Sequence, residues 1–332
     1  MLFSAVAPPK ALVTSLAFAM LFGATPDCAQ FVNQRFGYVP VSDWDRYNHA
    51  GMEAFHQDRL SEAEENLLKA KTEAEKFGPE DARLGTTLNN LAQVYHAQGK
   101  YTEAEPLYIR SLAIDEKALG KDHRDVAGDL NNLAELYHDL GKYEQAIQLY
   151  QRALGIVEKA FWPEHPYVLT TLGHLALMYK SEGNYAEAVP YYRRLLALQE
   201  TTMGPENSDV AGTLNSLAEV LRAQGKFAEA EPYSERALAV DEKALGRDNP
   251  DVGEDLNKLA EIYIGEGKLA QAESLYLRSV SLAERAFGPQ SPSVAANLKK
   301  YSALLRAMGR HAEANQMEER ANAVSAQKTR GN

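Results

Sequence analysis

Apolar residues recur at intervals of three and four along most of the chain, which is the spacing of one face of an α-helix. One stripe consists of Val126, Leu130, Leu133, Ala134, Tyr137 and Leu140. After a short Gly-Lys-Tyr turn a second stripe consists of Ala146, Leu149, Tyr150, Ala153, Leu154 and Val157. The pattern predicts a helix that ends at Gly141, a tight turn, and a longer second helix.

This helix pair returns every 42 residues. The segment Leu-Asn-Asn-Leu-Ala occurs at residues 88–92 and again at 130–134, and related segments begin at Leu172, Leu214, Leu256 and Leu298. The turn glycine keeps the same spacing, at Gly99, Gly141, Gly183, Gly225, Gly267 and Gly309. A fixed period of this length indicates stacked supersecondary units.

Several copies carry signals for the starts of their helices. Ser61 lies three residues before Glu64, which is the spacing of a capping box at the start of a second helix. Thr102 and Glu105 have the same relation. The first helices are predicted to start at a polar cap followed by proline, as in His165-Pro166, Asn249-Pro250 and Ser291-Pro292.

Small residues at fixed positions predict close packing between the helices. In the first helices these positions are Ala92, Ala134, Ala176, Ala218 and Ala260, and in the second helices they are Ala104, Ala146, Ala188, Ala230, Ala272 and Ala314. One helix pair cannot bury its own apolar face, so each pair must be covered by its neighbours.

The motif Leu-Ala-x-x-Tyr-x-x-x-Gly-Lys-Tyr-x-x-Ala at residues 133–146 resembles a tetratricopeptide repeat, in the 42-residue form of kinesin light chains and many bacterial proteins. The resemblance covers about residues 44–327 and implies an all-α, right-handed superhelical solenoid of about seven helix pairs. The first pair diverges, with Asp58 at the turn glycine, and the last has Tyr301 and Ser302 in place of Leu-Ala. Divergent terminal pairs are typical of solenoids.

The resemblance also implies a concave groove lined by the first helices, where members of the family bind extended peptides and clamp the peptide backbone with asparagines. An asparagine amide offers both a donor and an acceptor for this purpose. The matching positions are Asn89, Asn90, Asn131, Asn132, Asn215 and Asn257. The pattern is interrupted at Gly173, His174, Ser216 and Lys258. The alternative is that these asparagines hydrogen-bond between adjacent helices.

One and two turns further along the same helices lie side chains of mixed charge: Gln93, His96, Glu135, His138, Leu177, Lys180, Glu219, Arg222 and Glu261. A clamp for a carboxylate ligand would require a cluster of lysines and arginines, which this set lacks. We therefore predict that the groove takes a neutral or basic extended segment of a protein partner.

Acidic residues outnumber basic ones by 46 to 35, and the net charge is −11. A nucleic-acid surface requires clustered lysine and arginine, so this balance argues against nucleic acid as the partner. The chain contains no Gly-rich phosphate loop, Gly-x-Ser-x-Gly, His-Glu-x-x-His or Cys-x-x-Cys motif. We therefore expect a protein-interaction scaffold or adaptor without catalytic residues or a cofactor.

A metal-dependent enzyme is the alternative, because Glu135-x-x-His138 places two ligand types on one helix face. Helical di-iron proteins use two such pairs with two further carboxylates. One repeat earlier the equivalent residues are Gln93 and His96, and glutamine is a poor ligand. Two polar side chains on a solvated groove is the interpretation that the sequence favours.

The N-terminus predicts export. Lys10 precedes an uncharged apolar run at residues 11–23, which is the pattern of a secretory signal peptide and is too short to span a bilayer. We expect a signal peptide at 1–29, a linker at 30–43, the solenoid at 44–327 and a disordered tail at 328–332, with a periplasmic or secreted mature protein. Tethering through Cys28 or a retained N-terminus, as a structural component of the envelope, is the alternative.

Overall fold

The computed structural model describes residues 42–330 of the chain. Over this range the chain forms 14 α-helices and no strand. The helices are α1 (Asp43–His56), α2 (Leu60–Glu75), α3 (Ala82–Ala97), α4 (Tyr101–Leu119), α5 (Arg124–Asp139), α6 (Tyr143–Ala160), α7 (Pro166–Ser181), α8 (Tyr185–Met203), α9 (Ser208–Ala223), α10 (Phe227–Leu245), α11 (Val252–Gly265), α12 (Leu269–Phe287), α13 (Pro292–Ala307) and α14 (His311–Arg330).

Each odd-numbered helix packs against the even-numbered helix that follows it, which gives seven helix pairs. The chain divides into two compact units. The first ends at Gly78 and holds α1 and α2, and the second begins at Pro79 and holds α3–α14. Within the second unit each even-numbered helix also packs against the next odd-numbered helix. The structure thus confirms the predicted all-α fold of seven helix pairs, and the six pairs of the second unit stack in order as a solenoid.

The predicted signal peptide, most of the predicted linker and Cys28 lie outside the described residues. The first helix begins at Asp43, and α14 continues to Arg330, three residues beyond the predicted end of the solenoid. No helix among residues 42–330 is both long enough and apolar enough to cross a membrane.

The turn inside each pair requires a left-handed backbone. Gly99 has φ 73° and Gly141 has φ 70°, and the later turn glycines have similar values. Asp58 takes this position in the first pair with φ 57°. Aspartate is one of the few residues with a β-carbon that tolerates this conformation, which explains how the first pair keeps the turn without glycine.

The first helices start largely as the sequence predicts. Nδ1 of His165 accepts from the backbone N–H of Tyr167 at 3.2 Å, and Ser291 caps α13 with Pro292 at its first position. Helix α11 differs, because it begins at Val252 instead of Pro250. Asn249 instead accepts from the N–H of Asp251 at 2.9 Å, closing a turn before the helix.

The two predicted capping boxes are wrong. Helices α2 and α4 begin at Leu60 and Tyr101, one residue before the serine and threonine proposed as their caps. The residues at the cap positions are Arg59 and Lys100, whose side chains make no capping hydrogen bond. The backbone at these two cap positions, with ψ 64° and 63°, differs from the extended backbone of the side-chain caps, such as ψ 149° at Ser291.

The alanines that recur with the 42-residue period lie at close helix contacts. Ala92, Ala134, Ala176 and Ala260 have no exposed surface, and the space beside them is filled by larger side chains such as the buried Tyr108 and Tyr150. Because dense packing of this kind leaves little room for an extra methyl group, the alanines set how closely successive helices approach.

Arginine–glutamate ion pairs connect successive even-numbered helices with the period of the repeat. Arg152 of α6 contacts Glu116 of α4 at 2.5 Å. The same pairing recurs at Arg194–Glu158, Arg236–Glu200, Arg278–Glu242 and Arg320–Glu284. Each pair is partly exposed, so each contributes only ~0–1 kcal/mol to stability. They repeat one contact at each junction between neighbouring helix pairs of the second unit.

Candidate functional site

The predicted groove residues lie on the odd-numbered helices α3 to α11, whose exposed polar surface, continued onto α13, is called the groove below. Glu135 is exposed, whereas Asn90, Asn215 and Asn257 are buried. The remaining residues are half-buried: Asn89, Gln93, His96, Asn131, Asn132, His138, Lys180, Glu219, Arg222 and Glu261. Half-buried side chains hold a fixed position and still offer polar atoms to a ligand.

The asparagines of α5 hydrogen-bond to both neighbouring odd-numbered helices. Nδ2 of Asn132 donates to Oδ1 of Asn89 on α3 at 3.0 Å. Nδ2 of Asn131 donates to Oγ1 of Thr171 on α7 at 3.2 Å. These bonds join three consecutive helix pairs across the groove.

The later asparagines make the same kind of bond at buried positions. Nδ2 of Asn215 donates to Oδ1 of Asp255 at 2.7 Å, and Nδ2 of Asn257 donates to Oδ1 of Asn297 at 3.0 Å. The interpretation of these residues as links between adjacent helices therefore describes the contacts in the structure. Among the predicted asparagines, those that combine such a link with partial exposure are Asn89, Asn131 and Asn132.

An acidic region lies at the end of α5. Oδ2 of Asp139 is 2.8 Å from Nε2 of His96 on α3, and Oδ1 of Asp139 is 3.2 Å from Nδ1 of His138. Glu135 lies one turn earlier and is exposed without a hydrogen bond or ion pair to the described residues. The two carboxylates give this part of the groove a negative charge when the histidines are neutral.

The histidines of this region are held by Asp139 instead of converging on one point with Glu135. Among residues 42–330 no group of three or more His, Cys, Asp or Glu side chains could hold a metal ion. Glu135 and His138 are therefore not part of a metal-binding set in the described chain.

A surface pocket of about 460 Å³ lies further along the groove, between α7, α9, α11 and α13. Its charged lining consists of Lys180, Glu219, Arg222, Glu254, Lys258, Glu261 and Lys300. These side chains form three separate sets of ion pairs. Lys180 contacts Glu219 at 2.5 Å, Lys258 contacts Glu254 at 2.8 Å, and Glu261 lies 2.9 Å from Lys300 and 3.6 Å from Arg222.

Three charged residues of this pocket are missing from the predicted set, namely Glu254, Lys258 and Lys300. The signal was present in the 42-residue register, because Lys258 and Lys300 occupy the position of Asn90 and Asn132. Following the register, instead of the residue type, finds the two lysines.

A second pocket of about 400 Å³ lies between α7 and α8 and contains none of the predicted residues. It is lined by Tyr179, Glu187, Pro190, Tyr191 and Arg194. The rings of Tyr179 and Tyr191 stack with centroids 5.5 Å apart. Because the tyrosines pack on each other and Arg194 pairs with Glu158, this pocket offers few unused polar groups.

Solved structures of similar proteins share the helix-pair architecture. The TPR-like repeats of a kinesin light chain from Podosopora anserina are 25% identical, with a TM-score of 0.57 over 63% of this chain and 99% of that one. The tetratricopeptide repeat sensor of a STAND signal transduction ATPase from Pyrococcus horikoshii gives a TM-score of 0.67 at 16% identity, over 86% of this chain and 42% of that one.

A curated sequence relative, an NLR-like protein of Hyaloscypha variabilis, is 42% identical over 52 residues, which is 15% of this chain and 5% of the relative's length. The chain therefore spans a small part of that protein. The family model for the tetratricopeptide repeat matches residues 46–117, 83–159, 128–201, 209–264 and 254–325. These matches cover most of the described helices, and the chain belongs to the tetratricopeptide repeat family.

Proposed function

We propose that this protein is a non-catalytic scaffold or adaptor that binds an extended segment of a partner protein in its groove. The tetratricopeptide fold supports a protein-interaction scaffold in general. The observation that carries the specific proposal is the row of half-buried polar side chains on successive odd-numbered helices, in one register. Such a row matches the repeating polar groups of an extended backbone.

The asparagines can link helices and bind a ligand at the same time. An asparagine amide has two N–H donors and an oxygen with two acceptor sites. The bond between Asn132 and Asn89 uses one donor of the first and one acceptor site of the second. The remaining groups of these half-buried side chains supply what a peptide N–H and C=O require.

The chemistry of the proposed ligand follows from the acidic region. Glu135 is exposed, and Asp139 is shared between two histidines, so the first part of the groove attracts a neutral or basic segment. Electrostatic complementarity of this kind chiefly affects the association rate and the choice of partner.

Site-specific photocrosslinking tests the proposal. A photoreactive amino acid replacing Gln93 in the groove should capture a partner protein from extract of the source cells, and mass spectrometry should locate the crosslink in one extended segment. The matched control places the same probe at Arg110, which is exposed on α4 outside the groove. Equal capture from both positions, or a crosslink to a folded surface of the partner, contradicts binding in the groove.

We also propose that the chain is exported, on the strength of the apolar run at residues 11–23 behind Lys10. N-terminal sequencing of the mature protein and cell fractionation test this proposal. A mature chain that begins near Gln30 in the soluble fraction supports export by signal cleavage, and an intact Met1 in the cytoplasm contradicts it. Cys28→Ser in the same assay distinguishes lipid tethering, which requires the thiol.

A further inference from the structure

The charge of the groove changes sign along its length. The charges are compared over the part of each odd-numbered helix that runs from the position of Asn89 to the helix end. In α3 this part carries no charged side chain apart from His96. Helix α5 carries −2 in the same stretch, from Glu135 and Asp139. Helix α13 carries +3, from Lys299, Lys300 and Arg306.

The helices between these two ends are nearly neutral because their charges are paired. Helix α7 contributes Lys180, which pairs with Glu219 of α9. Arg222 of α9 in turn pairs with Glu261 of α11. The middle of the groove therefore presents ion pairs that are already satisfied. On α13 Lys300 also pairs with Glu261, and Arg306 pairs with Glu318 of α14, which leaves Lys299 as the unpaired charge at that end.

One exposed charge at each end is free of partners within the described chain. Glu135 makes no ion pair or hydrogen bond at the α5 end, and Lys299 makes none at the α13 end. An unpaired charge gains more from a ligand of opposite sign than a charge whose own partner must first be displaced. A ligand group of opposite charge is therefore stabilised most at Glu135 and Lys299.

We infer that the groove selects a segment with a basic block and an acidic block separated by a neutral stretch, with the basic block on α5 and the acidic block on α13. This inference rests on the proposed use of the groove for an extended segment and adds the order of charge along it. A segment of one sign throughout would meet repulsion at one end, which disfavours it as a partner.

Synthetic peptides test this inference with the full chain. The probe carries a lysine block, a neutral spacer of ~12 residues that reaches up to about 40 Å, and a glutamate block. Two comparison peptides replace either the lysines or the glutamates with glutamine. The two-block peptide should bind about tenfold more tightly than either comparison peptide at low salt, because the second contact becomes intramolecular. The preference should shrink at about 0.5 M salt.

Variants of the protein test which end of the groove binds each charged block of the peptide. Glu135→Gln should abolish the advantage given by the lysine block, and Lys299→Gln should abolish the advantage given by the glutamate block. Glu144→Gln and Arg110→Gln alter charge at exposed sites on even-numbered helices and should leave the preference unchanged.

The outcomes separate this inference from the proposed function. If all three peptides bind equally, or if the control variants reduce the preference as much as the groove variants, charge selection in the groove is wrong. Capture of an extended segment through the probe at Gln93 would still stand in that case. If that probe captures nothing and no peptide binds, the proposed function itself fails.

Discussion

Asp115 of α4 and Asp129 of α5 form a pair of neighbouring carboxyl groups where the two helices pack, and Oδ1 of Asp115 and Oδ2 of Asp129 are buried with no other polar partner. Asp129 is only 3% exposed. Burial, followed by the neighbouring charge of Asp115, raises the pKa of Asp129 to about 8, so the pair of carboxyl groups holds one proton at neutral pH. Three repeats later Asp255 pairs with Asp241 in the same way, and burial raises the pKa of Asp255 to about 7.

The first prediction concerns the pH dependence of stability. Above about pH 4 the unfolded chain has an ionised Asp129, whereas the folded chain keeps it protonated up to about pH 8. The folded state therefore binds more protons in this window, and the free energy of unfolding falls as the pH rises, by at most about 1.4 kcal/mol per pH unit for one group. Asp129→Asn keeps the shape and removes the titration.

Urea denaturation at pH 5.5 and pH 8.0 checks this prediction. The wild-type protein should lose at least ~1 kcal/mol more than Asp129→Asn over this range. Glu144→Gln removes an exposed carboxylate that has no described contact and should follow the wild type. Equal pH dependence in wild type and Asp129→Asn would show that the carboxyl pair does not share a proton.

The second prediction concerns the independence of the two carboxyl pairs. Each helix pair of a repeat protein contacts chiefly its neighbours, so stability is roughly a sum of local terms. Asp255→Asn retains an acceptor for Nδ2 of Asn215 and removes the second titration. Because the two sites share no partner, the double variant with Asp129→Asn should show changes that add within about 0.5 kcal/mol. Strong non-additivity in the same urea titrations would contradict separate sites.

The fold follows from the sequence because the 42-residue period places the same local sequence signals in every helix pair. The helix faces, the turn residues and the alanine contacts all lie at positions that the period predicts. Even the divergent turn at Asp58 keeps its left-handed backbone, with φ 57°. The helix starts are less well predicted. A capping box of Ser61 with Glu64 requires Ser61 to precede the helix, whereas the turn geometry starts α2 at Leu60.

The carboxyl pairs and the roles of individual asparagines do not follow from the sequence. Asp115 and Asp129 lie on different helices, and nothing in a single stripe indicates that they meet. Asn131 and Asn215 occupy equivalent positions, yet one is half-buried beside Thr171 and the other is buried against Asp255. The partner across the helix interface, and not the residue itself, decides the difference.

The third prediction concerns the close contact between Gly265 and Phe227. A β-carbon at Gly265, the last residue of α11, would overlap the ring of Phe227 at the start of α10. Gly265→Ala should therefore destabilise the protein by ~1–3 kcal/mol. Gly128→Ala in α5 meets no atom within 4 Å and should instead stabilise the helix, by up to ~1 kcal/mol.

Thermal unfolding of the two glycine variants measures the contrast. Phe227→Leu combined with Gly265→Ala should recover part of the lost stability, because leucine leaves room for the methyl group. If Gly265→Ala is as stable as Gly128→Ala, the ring of Phe227 does not occupy the space beside α11.

The fourth prediction separates structural from ligand-binding asparagines. Asn215→Ala removes the amide that donates to Asp255 at a buried position, so stability should fall by ~1–3 kcal/mol. Asn89→Ala with Asn132→Ala removes a half-buried bond near the acidic region, so stability should change by less than about 1 kcal/mol. The double variant should nevertheless capture less partner through a photocrosslinker at Gln93, since its groove has lost the amides proposed to bind a peptide backbone.

Thermal unfolding and crosslink yield per folded molecule measure the two effects. A double variant that unfolds as easily as Asn215→Ala, with unchanged capture, would show that these asparagines only join the helices.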